Sequence, residues 1–167
     1  MIYTIGYGSQ KSPRLPALKL EQLAEVRARL KALIVDVRAR PSSRWRPEVC
    51  ERALARRFGT NYLSMSDALG NQTKALPGIV SKRGLHWLES REASRGNLLL
   101  LCLEKHPRDC HRHHAIAMQL PFGSVCHLYH DGYQWLEIEA HKLQCAIDAD
   151  FRRGREPFSV WDARATR

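Results

Sequence analysis

The stretch "LLLLCLEKHPRDCHRHH", Leu98 to His114, decides how this chain is read. It begins as a short apolar run that ends in charge, the pattern of a strand buried on both faces of a sheet. It ends in a cluster of Cys, Glu, His and Arg. In open α/β sheets, ligands bind outside the carboxyl ends of the strands. A buried strand that delivers reactive side chains at that end therefore points to a site.

The flanking sequence repeats the pattern. "MIYTIGYG" opens with a β-branched and aromatic strand and a Gly-x-Gly turn, and "LIVDVR", Leu33 to Arg38, is a second apolar run ending in charge. "TNYLSM" and "SVCHLYH" read as further strands, and "PSSRWRP" and "DALGNQTKALPG" as loops. Helical signals lie between them. Leu20, Leu23, Val26 and Leu30 recur at spacings of three and four, one face of an amphipathic helix. "EVCERALARRFG" predicts a helix closed by Gly59. Another runs over about Lys82 to Arg95. A third runs over about Cys110 to Leu120, with Asp109 as its N-cap. Leu136, Ala140, Leu143, Ile147 and Phe151 mark a terminal helix. Strands alternating with helices predict a three-layer α/β fold, with a mostly parallel central sheet flanked by helices and a C-terminal helical extension. The expected domain covers 1–151, and a charged tail over 152–167 is expected to be loosely held.

Composition narrows the class. The chain has 167 residues, enough aliphatic side chains for a core, and five unevenly spaced cysteines without a CxxC pair. These read as reduced thiols in a reducing compartment, and a zinc ribbon or thioredoxin-type motif is not indicated. The longest strongly apolar run is too short to span a membrane, and "MIYTIGYG" lacks the features of a secretory signal, so a cytoplasmic location is expected. The formal charge of +10 points to a polyanionic partner, nucleotide or nucleic acid.

The strand ends select the candidate site residues. Cys102 and Glu104 follow one strand, and Cys110, His111 and Arg112 open the next predicted helix, whose dipole lowers a thiol pKa and favours an anion. Glu104 is the candidate acid or base, Cys110 a candidate nucleophile, and His111, Cys102 and Asp36 complete the catalytic set. Arg38 and Arg112 are the expected anion clamps, with Gly6, Tyr7, Ser42, Arg44 and Trp45 as further substrate contacts. Trp45, between two arginines, is placed to stack on a base. Cys102 to Arg108 also has the Cys-x5-Arg spacing of the cysteine phosphatase loop, but its interior "LEKHP" has no glycine, a repelling carboxylate and a proline without an N–H. No metal or other cofactor is predicted. Zinc on Cys110, His111 or His114 with Cys102 or Glu104 is the lesser alternative.

Taken in order, "TIGYG", "VDVRARPSS", "LG", "LLLCLEKHPRDCHR" and "VCHL" resemble the domain-of-unknown-function family numbered 488 (DUF488), over roughly Ile2 to Leu128. The most specific part is C-x-E-x-x-P-x-x-C-H-R, Cys102 to Arg112. The family's Thr-Ile-Gly start is matched by Thr4, Ile5 and Gly6. Tyr7 and Gly8 replace its usual histidine and serine, Asn71 replaces the second glycine of Leu-Gly-Gly, and the segment between Gly70 and Asn97 is shorter. The resemblance implies a compact α/β domain whose matched polar residues line one site, and it implies no reaction. The leading expectation is an intracellular enzyme, a hydrolase or transferase, acting on a phosphate-bearing nucleotide or nucleic acid. The alternatives are a non-catalytic DNA- or RNA-binding module and a thiol-based sulfur or redox protein.

Overall fold

The computed structural model describes residues 1–8, 17–43, 46–73, 76–130 and 135–153. Strands β1 (Ile2–Gly6), β2 (Leu33–Asp36), β3 (Tyr62–Ser64), β4 (Leu98–Cys102), β5 (Val125–His130) and β6 (Trp135–Glu139) form one sheet in the order β3-β2-β4-β1-β5-β6. All pairings are parallel except β5 with β6. The central strand β4 is buried along its whole length, as its unbroken apolar run requires. In register, Gly6 lies beside Cys102 and Asp36 beside Leu101. The chemistry-bearing ends of β1, β2 and β4 therefore meet at one edge.

The period of two along each strand sorts side chains into two cores. Leu98, Leu100 and Cys102 share one face with Val35, Val37 and Ile2. That face is covered by helices α3 (Ser66–Leu69), α4 (Lys82–Arg95) and α5 (Ala140–Arg152), through Leu69, Leu85, Leu88 and Ala140. Leu99 and Leu101 face the opposite layer with Ile5 and Ile34. There α1 (Leu20–Leu30) and α2 (Glu51–Phe58) supply Leu23, Val26 and Leu54. Each of these aliphatic side chains, fully buried, contributes roughly 1.5–3 kcal/mol. Helix α4 starts where Ser81 Oγ accepts the Gly84 N–H, and α2 ends at Gly59 with φ 54°. The three-layer, mostly parallel α/β fold and its C-terminal helix are as the sequence predicts. Among the described residues no helix is long and apolar enough to cross a membrane.

Three local expectations need correction. The segment after Asp109 is not an α-helix. A 3₁₀ turn (Pro107–Asp109), a π-helical turn (Arg112–Ile116) and a second 3₁₀ turn (Ala117–Gln119) replace it. An amphipathic α-helix buries one stripe, whereas here Cys110, His111, Arg112, His113, Ala115, Ile116 and Ala117 are all buried. The wider winding lets neighbouring side chains reach both the sheet and the loop after β4. Asp109 closes the first 3₁₀ turn and caps no helix; His106 Nδ1 accepts the Arg108 N–H there instead. Leu136 belongs to β6, and the terminal helix starts at Ala140, with Phe151 at 81% exposure on its outer side. The segment read as loop after Met65 begins with the one-turn helix α3. Of the predicted tail, residues 154–167 lie outside the described residues.

One buried polar chain joins these layers. Gln144 Nε2 donates to Asp148 at 2.7 Å, so its Oε1 faces His113 Nε2 at 3.0 Å and can only accept. His113 is therefore protonated on Nε2 and accepts at Nδ1 from His127 Nε2, 3.0 Å away. His127 Nδ1 then accepts the Thr4 hydroxyl at 2.7 Å, and the Thr4 oxygen accepts Arg112 Nε at 3.1 Å. The chain needs His127 neutral. Burial, then the charges of Arg112 and His113, push its pKa well below the ordinary value. In the unfolded chain the same ring titrates near about 6.5. The unfolded state therefore takes up a proton first as pH falls. The stability from His127 is full above about 6.5 and declines below it. Urea midpoints should fall between about pH 7 and pH 5. His127→Gln, which keeps a neutral donor and acceptor, should flatten that slope; an unchanged slope would assign the acid loss elsewhere.

Candidate functional site

The loop after β4 folds back on the strand it leaves. Gly6 is what permits this, because a Cβ there would stand 1.8 Å from the Glu104 carbonyl oxygen. Glu104 Oε2 lies 3.0 Å from Cys102 Sγ and 3.1 Å from Cys110 Sγ, and the two sulfurs are 3.2 Å apart. His111 Nδ1 lies 3.8 Å from Cys102 Sγ and 3.9 Å from Cys110 Sγ. Its Nε2 donates to the Leu69 carbonyl at 3.0 Å, which leaves Nδ1 as the free lone pair. The two thiols, the carboxyl and the imidazole expected from sequence thus converge, while His114 turns away onto the Arg108 carbonyl.

The electrostatics of the cluster are those of crowded acids. Burial raises the Cys102 thiol pKa, with the Cys110 contact adding to it. Burial also raises Cys110, but the hydrogen bond from Cys102 and the charges of Arg112 and His111 outweigh it and bring this thiol well below its ordinary value. Glu104 is raised, first by burial and then by the charge on Cys110. His111 is raised; burial opposes the shift, and the Cys110 contact overcomes it. Cys110 is therefore the more acidic of the two thiols, and Cys102 and Glu104 hold protons more tightly than usual. Cys110 is fully buried behind Cys102 and Glu104.

Arg112 does not serve as the anion clamp expected from sequence. It is fully buried, and its Nε, Nη1 and Nη2 donate to Thr4 Oγ1 and to the carbonyls of Glu104 and Lys105. Facing the sheet from the π turn, it holds the loop after β4 in place. Asp36 is likewise occupied. Its carboxylate accepts Arg38 Nε, Arg38 Nη2, the Arg38 backbone N–H and the Tyr62 hydroxyl, so no position remains for a ribose. The Asp36 carboxylate orients Arg38 and, against the effect of burial, holds its guanidinium charged. Burial and the bond to Asp36 raise Tyr62.

Arg38 and the cluster meet in one cavity of about 440 Å³. Cys102, Glu104 and His111 line it together with Tyr7, Arg38, Ser42 and Ser43. The Arg38 side chain is 3% exposed and stacks at 5.1 Å over the Tyr7 ring. Its Nη1 is buried with no hydrogen-bond partner among the described residues. Arg40, Asn71, Gln72 and Asp109 also line the cavity and were not expected from sequence. Arg40 and Asp109 were within reach of such reasoning, since each lies two residues or fewer from an expected one. Gly6 instead borders a second cavity of about 270 Å³, beside Lys105, Tyr129 and His130. Burial lowers the Lys105 pKa to about 8. Arg44 and Trp45 lie outside the described residues.

No family model, no curated protein and no solved structure matches the chain. The geometry of the site carries the argument.

The Asp36–Arg38 pair generates a prediction. Removing one partner of a buried ion pair strands the other charge. Asp36→Ala should lower the unfolding free energy by about 3–5 kcal/mol, read by urea denaturation. A loss under about 1 kcal/mol, the range of exposed pairs, would refute the buried pairing.

Proposed function

We propose that the protein is an enzyme acting on a phosphate-bearing substrate, a nucleotide or nucleic acid, at the carboxyl edge of its sheet. One observation carries the reading: a single cavity is lined by the Cys102, Glu104 and His111 side chains and by Arg38, Arg40, Ser42 and Ser43. Guanidinium and hydroxyl groups suit phosphate oxygens. The Arg38 Nη1, without a partner among the described residues, is the donor left for an anion. In this reading Arg38, held by Asp36, anchors the phosphate, and Arg40 adds charge at the rim. Glu104, whose pKa is raised first by burial and then by Cys110, is the group that exchanges a proton with the reacting group. Cys110 is screened from substrate and sets the charge of the cluster. The formal charge of +10 draws polyanions toward the site.

The 3.2 Å contact between Cys102 and Cys110 favours a second reading, a thiol-based protein in which that pair is the working group.

A thermal-shift screen of nucleotides and short oligonucleotides tests substrate binding. Those that bind should stabilise the wild type, and Arg38→Gln should abolish the shift. With the substrate so found, Glu104→Gln should lower kcat by about 10²–10⁴-fold with a smaller change in KM. Full activity in Glu104→Gln would remove Glu104 from the chemistry. No shift with any phosphate-bearing compound would count against the substrate class.

A further inference from the structure

We propose that Cys102, Glu104, Cys110 and His111 bind one zinc-like divalent cation. The inference stands whether or not the cavity takes a phosphate-bearing substrate.

The donor atoms of these four side chains all lie within 4.8 Å of one another. A tetrahedral zinc ion has bonds of about 2.3 Å to sulfur and about 2.0–2.1 Å to nitrogen and oxygen. The edges of such a tetrahedron are therefore roughly 3.4–3.8 Å. The closest pairs here, at 3.0, 3.1 and 3.2 Å, fall slightly short, and those to His111, at 3.8 and 3.9 Å, slightly exceed it. Small side-chain rotations bring these five pairs to that geometry, and the sixth, Glu104 to His111, lies within 4.8 Å. Two thiolates, an imidazole and a carboxylate suit a borderline ion, and the thiolates disfavour magnesium or calcium.

Charge gives an independent reason. Two thiols and a carboxyl in mutual contact and out of water need either shared protons or a cation. The nearest fixed cation, Arg112, directs its side-chain donors to Thr4 and to two carbonyls. A divalent ion would offset most of the cluster's charge, leaving about one negative charge for Arg112.

The surroundings are those of a ligand set. Metal-bound imidazoles donate their other N–H to a carbonyl or carboxylate, which fixes the ring. His111 donates Nε2–H to Leu69 in this way and turns Nδ1 toward both sulfurs. The Arg112 backbone N–H donates to Cys110 Sγ at 3.4 Å, a bond that supports a thiolate. Among the described residues no other group of three such side chains converges. Because Cys102, Glu104 and His111 line the cavity, the ion would sit at its floor. Glu104, the one oxygen ligand, is the position open to exchange.

The test uses the full chain, reduced, stripped with a chelator and titrated anaerobically with Co²⁺. One equivalent should bind, giving tetrahedral visible bands and charge-transfer intensity for two thiolates, and Zn²⁺ should displace it. Cys110→Ser and His111→Ala should each weaken binding by more than the roughly 10–100-fold that losing a supporting partner costs. Cys126→Ser and Cys145→Ser should change nothing. The wild-type spectrum alone decides the matter if the variants do not fold. An absent spectrum, one without thiolate bands, or a Cys102–Cys110 disulfide in protein isolated metal-free would overturn the proposal. A nucleotide-induced thermal shift without a cobalt spectrum would overturn the metal site and leave the substrate reading standing. A cobalt spectrum without any such shift would do the reverse.

Discussion

The carboxyl edge of the sheet depends on one buried cation. Arg112 has no exposure and reaches across from the π turn to Thr4 on β1 and to the carbonyls of Glu104 and Lys105. A guanidinium without water is costly unless its donors are satisfied. These are, but by neutral acceptors only. The positive charge itself is balanced by what lies next to it, and Arg112 is among the causes that bring the Cys110 thiol down. Structure and site are thus one device. The residue that fixes the loop after β4 also supplies the field in which the cluster ionises.

The same arginine begins the polar chain through Thr4, His127, His113 and Gln144 to Asp148. Every donor in it points toward α5, so the tautomers of both histidines follow from one carboxylate at the far end. This explains part of the run "HRHH" that opened the sequence reading. His111 faces the thiols, Arg112 the loop, His113 the sheet and His114 the Arg108 carbonyl. A single α-helical stripe could not send four consecutive side chains to four buried targets. The π turn does.

That winding marks where the sequence was legible and where it was not. Apolar runs such as Leu98–Leu101 identify buried strands directly, and their charged ends identify the edge where Arg38, Cys102 and Glu104 line one cavity. The Cys102, Glu104, Cys110 and His111 cluster was readable because strand end and turn lie close along the chain. Arg112 was misread because nothing local states which way a long side chain points when a helix widens. His113 is a core residue for the same reason, bonded to His127 and Gln144. Strand β6 was missed because Leu136 and Ala140, four apart, fit a helical period as well as the end of a strand. Arg38 lines the same cavity as Cys102, Glu104 and His111. The partners of Asp36 were not legible, because Tyr62 comes from the neighbouring strand β3.

The cavity poses an electrostatic problem that links its chemistry. In the proposed reading Arg38 and Arg40 attract a phosphate, yet Glu104 lines the same cavity with Cys110 in contact behind it, and both repel an anion when ionised. The raised pKa of Glu104 is a partial answer, since a protonated carboxyl removes one charge. Any charge on Cys110 remains, and burial strengthens its field. With a divalent ion among the four donors, Glu104 would instead be an ionised ligand. With two thiolates and one carboxylate around it, the centre has a net charge near −1, which the adjacent Arg112 offsets. An anion anchored on Arg38 would then meet a nearly neutral floor with one exchangeable oxygen ligand.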